Sequence, residues 1–204
     1  MGALTWRNAL PRSSETLKKL MPVELAMRLS APVDTARLAL EPMGECHAAA
    51  FFGPLQDDAV YQWISMNKPV SLELLQGHWK RIEARVAPDG LTAWPTWAVR
   101  RLADGAYIGR VDAEIDADLV ALNVGYYFFP PFWGQGYATE AVHAATQHLI
   151  ALGVRRLIAT VTSGNTASAR VLEKAGYQFT RVLPGNDTLR GVAVDDDEYV
   201  FVAL

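Results

Sequence analysis

Apolar and polar residues alternate along the chain with a period of two in some segments and with helical spacing in others, and this change predicts the order of its elements. Leu38 and Leu40 alternate with more polar neighbours before Pro42, which is the pattern of a half-buried strand. Ser71, followed by Glu73, is typical of the start of an amphipathic helix. The elements predicted in the first half of the chain are a strand at 37–42 and helices at 44–53, 56–66 and 71–86.

The second half begins with strands and continues with alternating helices and strands. Turn residues at 103–105 and 116–118 separate three runs with a period of two, which favours an antiparallel meander. Gly153 and Gly176 close two segments of helical spacing. The predicted elements here are strands at 97–102, 106–115, 120–129, 155–162, 177–183 and 198–203, and helices at 139–152 and 166–175. The acidic run 195–198 is interpreted as a solvated hairpin loop, because it lacks the ligand spacing of a calcium loop.

Length and composition are those of an ordinary globular protein. The 204 residues fit one large domain or one domain with an appendage, and 50% hydrophobic residues exclude disorder over most of the chain. The formal net charge is −3, and no basic block is present that could neutralise a phosphate backbone. The composition therefore argues against nucleic acid as a partner.

Cysteine content and hydropathy indicate a soluble protein. Cys46 is the only cysteine, so the sequence has neither a disulfide framework nor a cysteine-based zinc site. Charged residues interrupt the segment 1–21, which lacks the apolar core of a secretory signal, and no window has the roughly 18 apolar residues of a membrane span. We expect a cytoplasmic protein that does not bind a membrane.

Prolines divide the N-terminal segment from the rest of the chain. Pro11, Pro22 and Pro32 interrupt this segment, and a short helix is predicted between them, from about residue 15 to 29. We expect an appendage at 1–32 and a domain at 33–204. The appendage could fold onto its own domain or complete a homodimer.

The segment 126–140 has the features of an anion-binding turn. A strand leads through two prolines to Gly134 and Gly136, and a helix follows at once. Glycine lets a ligand approach the backbone, and the N–H groups of the first helical turn point toward an anion such as a pyrophosphate. The alternative is a plain strand-to-helix turn. A Rossmann fingerprint would need a third glycine where Thr139 stands, and no Gly-Lys-Ser/Thr of a Walker A loop occurs.

Three ordered motifs together resemble the GCN5-related N-acetyltransferase (GNAT) family, in its branch of ribosomal-protein alanine acetyltransferases. They are NVGYYF, PPFWGQGYATEA and SGNTASARVLEKAGY, and the strand RLALEP near Arg37 is similar to the first strand of that branch. The resemblance covers about 33–204. It implies a mixed α/β (α+β) fold with a mostly antiparallel central sheet, splayed central strands and flanking helices. It also implies transfer of an acetyl group from acetyl-CoA, as co-substrate, to a primary amine without a metal.

The resemblance also assigns roles to individual residues. Ser168 matches a hydroxyl that protonates the departing CoA thiolate, and Asn165 matches a residue that contacts the cofactor. Lys174 would reach a cofactor phosphate. Backbone groups around Phe128 and Phe129 would bind the pantetheine arm, and the residues at the pyrophosphate would be Gly134, Gln135, Gly136, Tyr137, Ala138 and Thr139. As alternatives, Asn165 could be a helix N-cap, and Ser168 could merely occupy the first turn.

At three positions the chain departs from the family pattern. Pro131 stands where many members have Arg or Gln, Leu172 where several have a tyrosine acid, and Asn123 where many in this branch have Glu. These departures keep open a second hypothesis, a catalytically reduced acyl-CoA-binding or sensing module on the same fold. A nucleotide-binding domain is a third.

The acceptor and the general base are left open by the sequence. Asp112 and Glu114 are the candidates for a base, and alternation predicts that they share a strand face with Ile108 and Arg110. That face could equally be exposed to solvent. The histidines at 47, 78, 143 and 148 receive no role, and of the tryptophans only Trp133 lies within the predicted cradle. A peptide N-terminus and small-molecule amines both fit. Cys46 falls outside every motif, which favours direct attack over an acyl-cysteine intermediate.

Overall fold

A computed structural model describes residues 19–203 and forms one mixed sheet with helices on both faces. Within that range the helices are α1 (Val23–Leu29), α2 (Ala48–Phe52), α3 (Leu72–Ile82), α4 (Tyr137–Ala151) and α5 (Thr166–Lys174). The strands are β1 (Val33–Asp34), β2 (Leu38–Pro42), β3 (Thr92–Ala93), β4 (Thr96–Arg101), β5 (Tyr107–Asp116), β6 (Val120–Phe128), β7 (Arg156–Thr162), β8 (Gln178–Leu189) and β9 (Val192–Val202).

The sheet is antiparallel except at its centre. Its order is β1-β2-β4-β5-β6-β7-β9-β8, with β3 paired to β5. The parallel neighbours β6 and β7 pair only through Val120 with Arg156 and Ala121 with Leu157. Both strands continue beyond these pairs, β6 to Phe128 and β7 to Thr162, so they separate and leave a gap. The expected antiparallel meander and splayed central strands are confirmed.

Two hydrophobic cores occupy the two faces of the sheet. On one face α1, α4 and α5 pack against the strands, and Val124 and Phe128 of β6 belong to this core. On the other face α2 and α3 pack around Phe51 and Trp79. The sheet is therefore covered by helices on both faces.

Some predicted elements differ from the structure. The predicted helix at 56–66 is wrong: the chain forms short 3₁₀ turns at Pro54–Gln56 and Asp58–Tyr61, because the Asp57 carboxylate caps Ala59 and starts a new turn. The helix predicted at 71–86 ends at Ile82, ahead of Arg85, whose φ is 59°.

The acidic run 195–198 is part of strand β9, so the predicted loop there is wrong. The hairpin turns instead at Arg190 and Gly191, whose φ angles are 51° and 81°. A two-residue turn with both φ positive is the type that joins tightly paired strands. Asp196 and Glu198 are buried, and Glu198 receives hydrogen bonds from Arg181.

The described part of the N-terminal segment packs on the domain. Ala26 and Leu29 of α1 are fully buried in the core shared with α4 and α5. The predicted helix start near residue 15 lies outside the described residues, and the domain boundary at 33 stays a prediction. None of the helices in residues 19–203 has the length and apolarity needed to cross a bilayer.

Candidate active site

The turn between β6 and α4 has the geometry of an anion cradle. Gly134 and Gly136 have φ angles of 73° and 80°, and Gly136 is the N-cap of α4 with no side chain capping the helix. The first N–H groups of α4 therefore lack intrahelical acceptors and are directed at the space ahead of the helix. A Cβ added to Gly134 would meet nothing within 4 Å, so that space is open. These features fit the phosphates of a nucleotide-containing cofactor.

Arg37 fixes this cradle to the start of β2. Its guanidinium donates to the Gln135 carbonyl at 3.1 Å and to Glu140 Oε2 at 2.6 Å, and it lies 4.5 Å from the centre of the Tyr137 ring. The Thr35 hydroxyl donates to the other oxygen of Glu140 at 2.6 Å. Burial raises the pKa of Glu140, but the hydrogen bonds from Thr35 and Arg37 outweigh it and hold the pKa below its ordinary value. The cradle is thus held in place before any ligand binds.

Trp133 and the end of β6 define which backbone groups face the gap. The Trp133 indole donates to the Phe128 carbonyl at 2.6 Å, while the Phe129 N–H donates to the Ile108 carbonyl of β5 at 2.9 Å. Because backbone groups alternate in direction along a strand, those of Tyr126 and Phe128 point away from β5, toward the gap. The groups available to a pantetheine arm are therefore those of Tyr126 and the N–H of Phe128, because the Phe128 carbonyl accepts from Trp133 and the Phe129 N–H is already engaged.

Ser168 lies in the first turn of α5 against a tyrosine from β6. Its hydroxyl is 2.7 Å from the Tyr126 hydroxyl, which also donates to the Ser168 carbonyl at 3.0 Å. Burial raises the pKa of Tyr126, so this phenol stays protonated. The Asn165 carboxamide oxygen accepts from the Ser168 N–H at 3.2 Å, which is the N-cap role considered as an alternative. Tyr126 lies in the motif NVGYYF, but the sequence analysis assigned it no role.

The opposite end of α5 is less closely tied to the cradle. Lys174 is exposed in the last turn and forms no hydrogen bond or ion pair with another described residue. Leu172, at the position where the resemblance led us to compare a tyrosine acid of several family members, is fully buried in the core. The tyrosine hydroxyl near Ser168 thus comes from β6 and not from α5.

A polar cavity lies on the other face of β5, below α3. Arg110 Nε donates to Asp112 Oδ1 at 2.9 Å, and Glu114 accepts from the Thr92 hydroxyl at 3.1 Å. Arg110, Asp112 and Glu114, together with His78, line a cavity of about 20 Å³, enough for one water molecule. Burial, assisted by the charges of Arg110 and Arg81, lowers the pKa of His78 and keeps it neutral near pH 7.

The predicted face of β5, with Ile108, Arg110, Asp112 and Glu114, differs from the structure in two ways. Arg110 and Asp112 are only 8% and 9% exposed, so this is not a solvent-exposed face. Ile108 does not share it, because β5 carries one extra residue between the pairs Val99–Gly109 and Arg100–Tyr107. Such a bulge reverses the alternation, and Ile108 joins the core on the α4 face.

The remaining histidines have structural surroundings. His47 is buried, accepts from the Gly44 N–H at 3.1 Å and lies 3.4 Å from Glu41. His148 is 3.2 Å from the Leu29 carbonyl, and His143 is exposed. None of these three lines the polar cavity.

Comparison with protein families decides the classification. Residues 37–178 match the model of the acetyltransferase (GNAT) domain. The chain belongs to the GNAT family. Its GNAT fold carries the glycine cradle and the splayed strands in the places that the resemblance implied, and the family is one of acyl-CoA-dependent transferases.

GNAT relatives match nearly the whole domain. An uncharacterized N-acetyltransferase, YoaA of Bacillus subtilis, is 26% identical over 172 residues, or 83% of this chain and 96% of the relative. The solved structure of RimL, a ribosomal L7/L12 α-N-protein acetyltransferase in complex with coenzyme A, has a TM-score of 0.75 at 18% identity and covers 84% of this chain and 98% of its own. RimJ of Mycobacterium smegmatis, in complex with CoA-disulfide, has a TM-score of 0.73 at 22% identity, covering 85% of this chain and 86% of its own.

Proposed function

We propose that this GNAT protein transfers the acetyl group of acetyl-CoA directly to a primary amine, either a protein N-terminus or a small molecule. The observation that carries the proposal is the cradle before α4, which opens beside the gap between β6 and β7. A polyanion can bind at the helix N-terminus while an extended arm enters the gap and pairs with a strand edge.

The cradle suits a polyanion even though the whole protein is acidic. Its contacts would come from the backbone N–H groups at Gly134, Gly136, Tyr137, Ala138 and Thr139. The Gln135 carbonyl accepts a hydrogen bond from Arg37, so the direction of the Gln135 N–H is fixed by the turn. Oriented amides and the helix dipole stabilise negative charge without a basic surface.

The reaction requires attack on the thioester, departure of the thiolate and transfer of two protons. The neutral amine attacks the thioester carbonyl, a C–N bond forms, and negative charge develops on the carbonyl oxygen. Backbone N–H groups of β6 that face the gap can stabilise this oxyanion. The C–S bond then breaks, the thiolate takes up a proton, and the amine proton passes to a base.

Ser168 is the donor we propose for the thiolate. Its hydroxyl is fixed by Tyr126 at 2.7 Å, and its place in the first turn of α5 is fixed by the Asn165 cap. Tyr126 reaches it from β6, the strand whose backbone faces the proposed thioester. Asn165 could contact the cofactor through its amide nitrogen while its oxygen caps the helix.

Binding and turnover measurements test the proposal. We expect calorimetry to show tighter binding of acetyl-CoA than of NAD, and thiol release when acetyl-CoA is supplied with alanine-initiated and serine-initiated peptides, spermidine or kanamycin. Tighter binding of NAD would contradict the assignment. Tight acetyl-CoA binding without turnover of any amine would favour the acyl-CoA-binding module instead.

Gly136→Ala tests the cradle itself. Because Gly136 has a φ of 80°, a Cβ there strains the turn, and we expect acetyl-CoA affinity to fall about tenfold, for a strain of about 1–2 kcal/mol. Gly191→Ala is the matched control, since Gly191 has a φ of 81° in the β8–β9 turn. It should lower stability and leave affinity unchanged. Equal affinity losses in both variants would remove the cradle from cofactor binding.

We extend the proposal to a cytoplasmic location, which agrees with a chain whose single cysteine allows no internal disulfide. Cell fractionation checks this. A homodimer, if the N-terminal segment mediates one, would show in light scattering as twice the mass of 22.4 kDa.

A further inference from the structure

A second cavity lies between the loop 61–68 and the tip of the β8–β9 hairpin. We call it the hairpin cavity; its volume is about 270 Å³, many times the space that one water molecule needs. None of the described residues that line it lines the polar cavity below α3. Its walls come from Asp58 and the loop on one side and from Leu189 and Arg190 on the other. The hairpin cavity can therefore hold an organic group and not only solvent.

The loop 61–68 also contacts the end of β7 and the start of α5. The Thr162 hydroxyl, at the end of β7, donates to the Trp63 carbonyl at 3.3 Å. A Cβ at Gly164, just before α5, would lie 3.9 Å from the Trp63 ring. Because the first turn of α5 carries Ser168, the loop joins the hairpin cavity to the segment that holds the proposed thiolate donor.

The hairpin cavity has an apolar floor that is formed before a ligand binds. Tyr61, Ile64 and Met66 pack against the core of the α2 and α3 face, and so does Tyr127 of β6. The Tyr61 hydroxyl donates to the Leu55 carbonyl at 2.7 Å, which fixes the ring. The floor therefore belongs to the same core as a side chain of β6, the strand that borders the gap opposite β7.

Two of the three charged side chains that line the hairpin cavity within residues 19–203 neutralise each other. Lys68 Nζ donates to Asp58 Oδ1 at 2.5 Å and to the Gln56 carbonyl at 2.8 Å. The hydrogen bond from Lys68 lowers the pKa of Asp58, so this carboxylate stays ionised and paired. The net charge of the wall is therefore that of Arg190.

Arg190 presents donors at the rim of the hairpin cavity. It lies in the β8–β9 turn, is exposed, and donates one N–H to the Gln62 carbonyl at 3.0 Å. It forms no ion pair with another described residue. A guanidinium has five N–H donors in a fork that matches a carboxylate, so donors remain for a ligand.

The carboxylates of the hairpin outside the cavity are engaged with close neighbours. They accept hydrogen bonds within the described chain as follows: Asp187 from Thr188, Asp195 from Gly185 and Asp197 from Ser163. None of these three lines the hairpin cavity. The charge that an entering ligand meets at this rim is therefore positive.

We propose that the hairpin cavity binds a part of the acceptor that carries a carboxylate, and that Arg190 selects acceptors by this charge. The amine of the same molecule lies at the thioester, and the carbon chain between the two groups lies along the apolar floor. The inference rests on the proposed acetyl transfer and names its acceptor class as amines that bear a carboxylate, such as an acidic peptide or an acidic amino acid. Polyamines and aminoglycosides are disfavoured, because Arg190 repels their additional positive charges.

Two matched pairs of acceptors test the charge preference. One pair is an alanine-initiated hexapeptide with aspartate at its second and third positions and the same peptide with asparagine there; the other pair is glutamate and glutamine. We expect kcat/KM to be about tenfold higher for the acidic member, the effect of one charge-assisted hydrogen bond. A preference in either pair supports the inference, and the pair that shows it identifies the source of the carboxylate.

Variants of Arg190 assign the preference to its charge. Arg190→Gln should abolish most of the preference through a higher KM for the acidic acceptors, with kcat and acetyl-CoA affinity unchanged. Arg190→Glu should reverse the preference, so that the same hexapeptide with lysine at the two positions becomes the better acceptor. A loosened hairpin would weaken all acceptors alike and cannot reverse their order. Arg28→Gln, at an exposed arginine on α1, is the control and should keep the wild-type preference.

The dependence on salt gives an independent measurement. Because Arg190 is exposed, raising the salt from about 0.05 M to about 0.5 M should weaken the preference of the wild type. Turnover with equal kcat/KM for acidic and neutral acceptors, or the same preference in wild type and Arg190→Gln, would overturn the inference while the proposed function stands. A wild-type protein that binds acetyl-CoA and acetylates no amine would overturn both.

Discussion

At the scale of single residues, the site is held together by contacts between distant parts of the chain. Arg37 and Glu140 are 103 residues apart in sequence and lie 2.6 Å apart in the structure. Tyr126 and Ser168, 42 residues apart, are joined at 2.7 Å. Each pair links two different motifs of the sequence, and in each pair one member has a role that the sequence did not assign. The contacts between motifs therefore hold the binding and reacting groups in place.

Tyr126→Phe should lower kcat about tenfold, the equivalent of one hydrogen bond worth about 1.4 kcal/mol, and should leave acetyl-CoA affinity unchanged. In a Ser168→Ala background the same change should have little further effect, because the two hydroxyls act as one unit. Steady-state kinetics of the single and double variants measure this coupling.

Tyr177→Phe is the control for that cycle, since it also removes a buried tyrosine hydroxyl, one that bonds to Thr146 at 2.9 Å. It should affect stability alone. Additive losses from Tyr126→Phe and Ser168→Ala would show that Tyr126 does not position Ser168.

Glu140 predicts a pH dependence of stability. Burial raises its pKa, but hydrogen bonds from Thr35 and Arg37 outweigh this and hold it below the ordinary 4.5, so the ionised form favours the folded state. This contribution is present above the unfolded pKa and is lost as pH falls through the lower folded pKa. The Tm advantage of wild type over Glu140→Gln should be constant above about pH 5.5 and shrink below it. An advantage that grows on acidification would contradict this.

At the scale of elements, α5 illustrates how one side chain can serve both helix and ligand. Asn165→Ala should lower the free energy of unfolding by about 1 kcal/mol through loss of the cap, whereas Asn165→Asp keeps a capping oxygen and should retain stability. Asp lacks the amide nitrogen, so a fall in acetyl-CoA affinity in this variant would come from a lost cofactor contact. Chemical denaturation and calorimetry on both variants measure the two roles separately. Equal affinity in Asn165→Asp and wild type would assign Asn165 to capping alone.

The sequence predicted most elements because their period is regular. The meander of β4, β5 and β6 and the helices α4 and α5 begin within a few residues of their predicted starts. The glycines of the cradle were also predictable, since a strand, Gly-x-Gly and a helix form one local pattern. The long hairpin was missed because Arg190–Gly191 was not read as its turn.

The face on which side chains lie was harder to predict. Ile108 and Leu122 are each an extra residue in a strand, the second between the pairs Glu114–Asn123 and Ile115–Ala121. One extra residue reverses the face of everything beyond it, and alternation read along a single strand does not reveal it. The partners of Ser168 and of the cradle escaped for a similar reason, because they depend on which strands become neighbours.

At the scale of the whole molecule, the protein joins two parts of one sheet around a gap. β6 and β7 share only the pairs Val120–Arg156 and Ala121–Leu157 before they part. The helices α4 and α5 pack on one face of this sheet, and α2 and α3 pack on the other.

The same gap gives the sheet two internal edges. Beyond Ala121 and Leu157 the facing backbone groups of β6 and β7 lack strand partners, and unpaired strand edges are sites where chains associate. The arm of a bound cofactor would lie in the gap and cover these edges. The cofactor would then shield the edges from other chains as well as take part in the reaction. We expect acetyl-CoA to slow amide hydrogen exchange in 122–128 and 158–162 and to slow aggregation on heating. Protection confined to the cradle would contradict this and leave the edges exposed throughout the catalytic cycle.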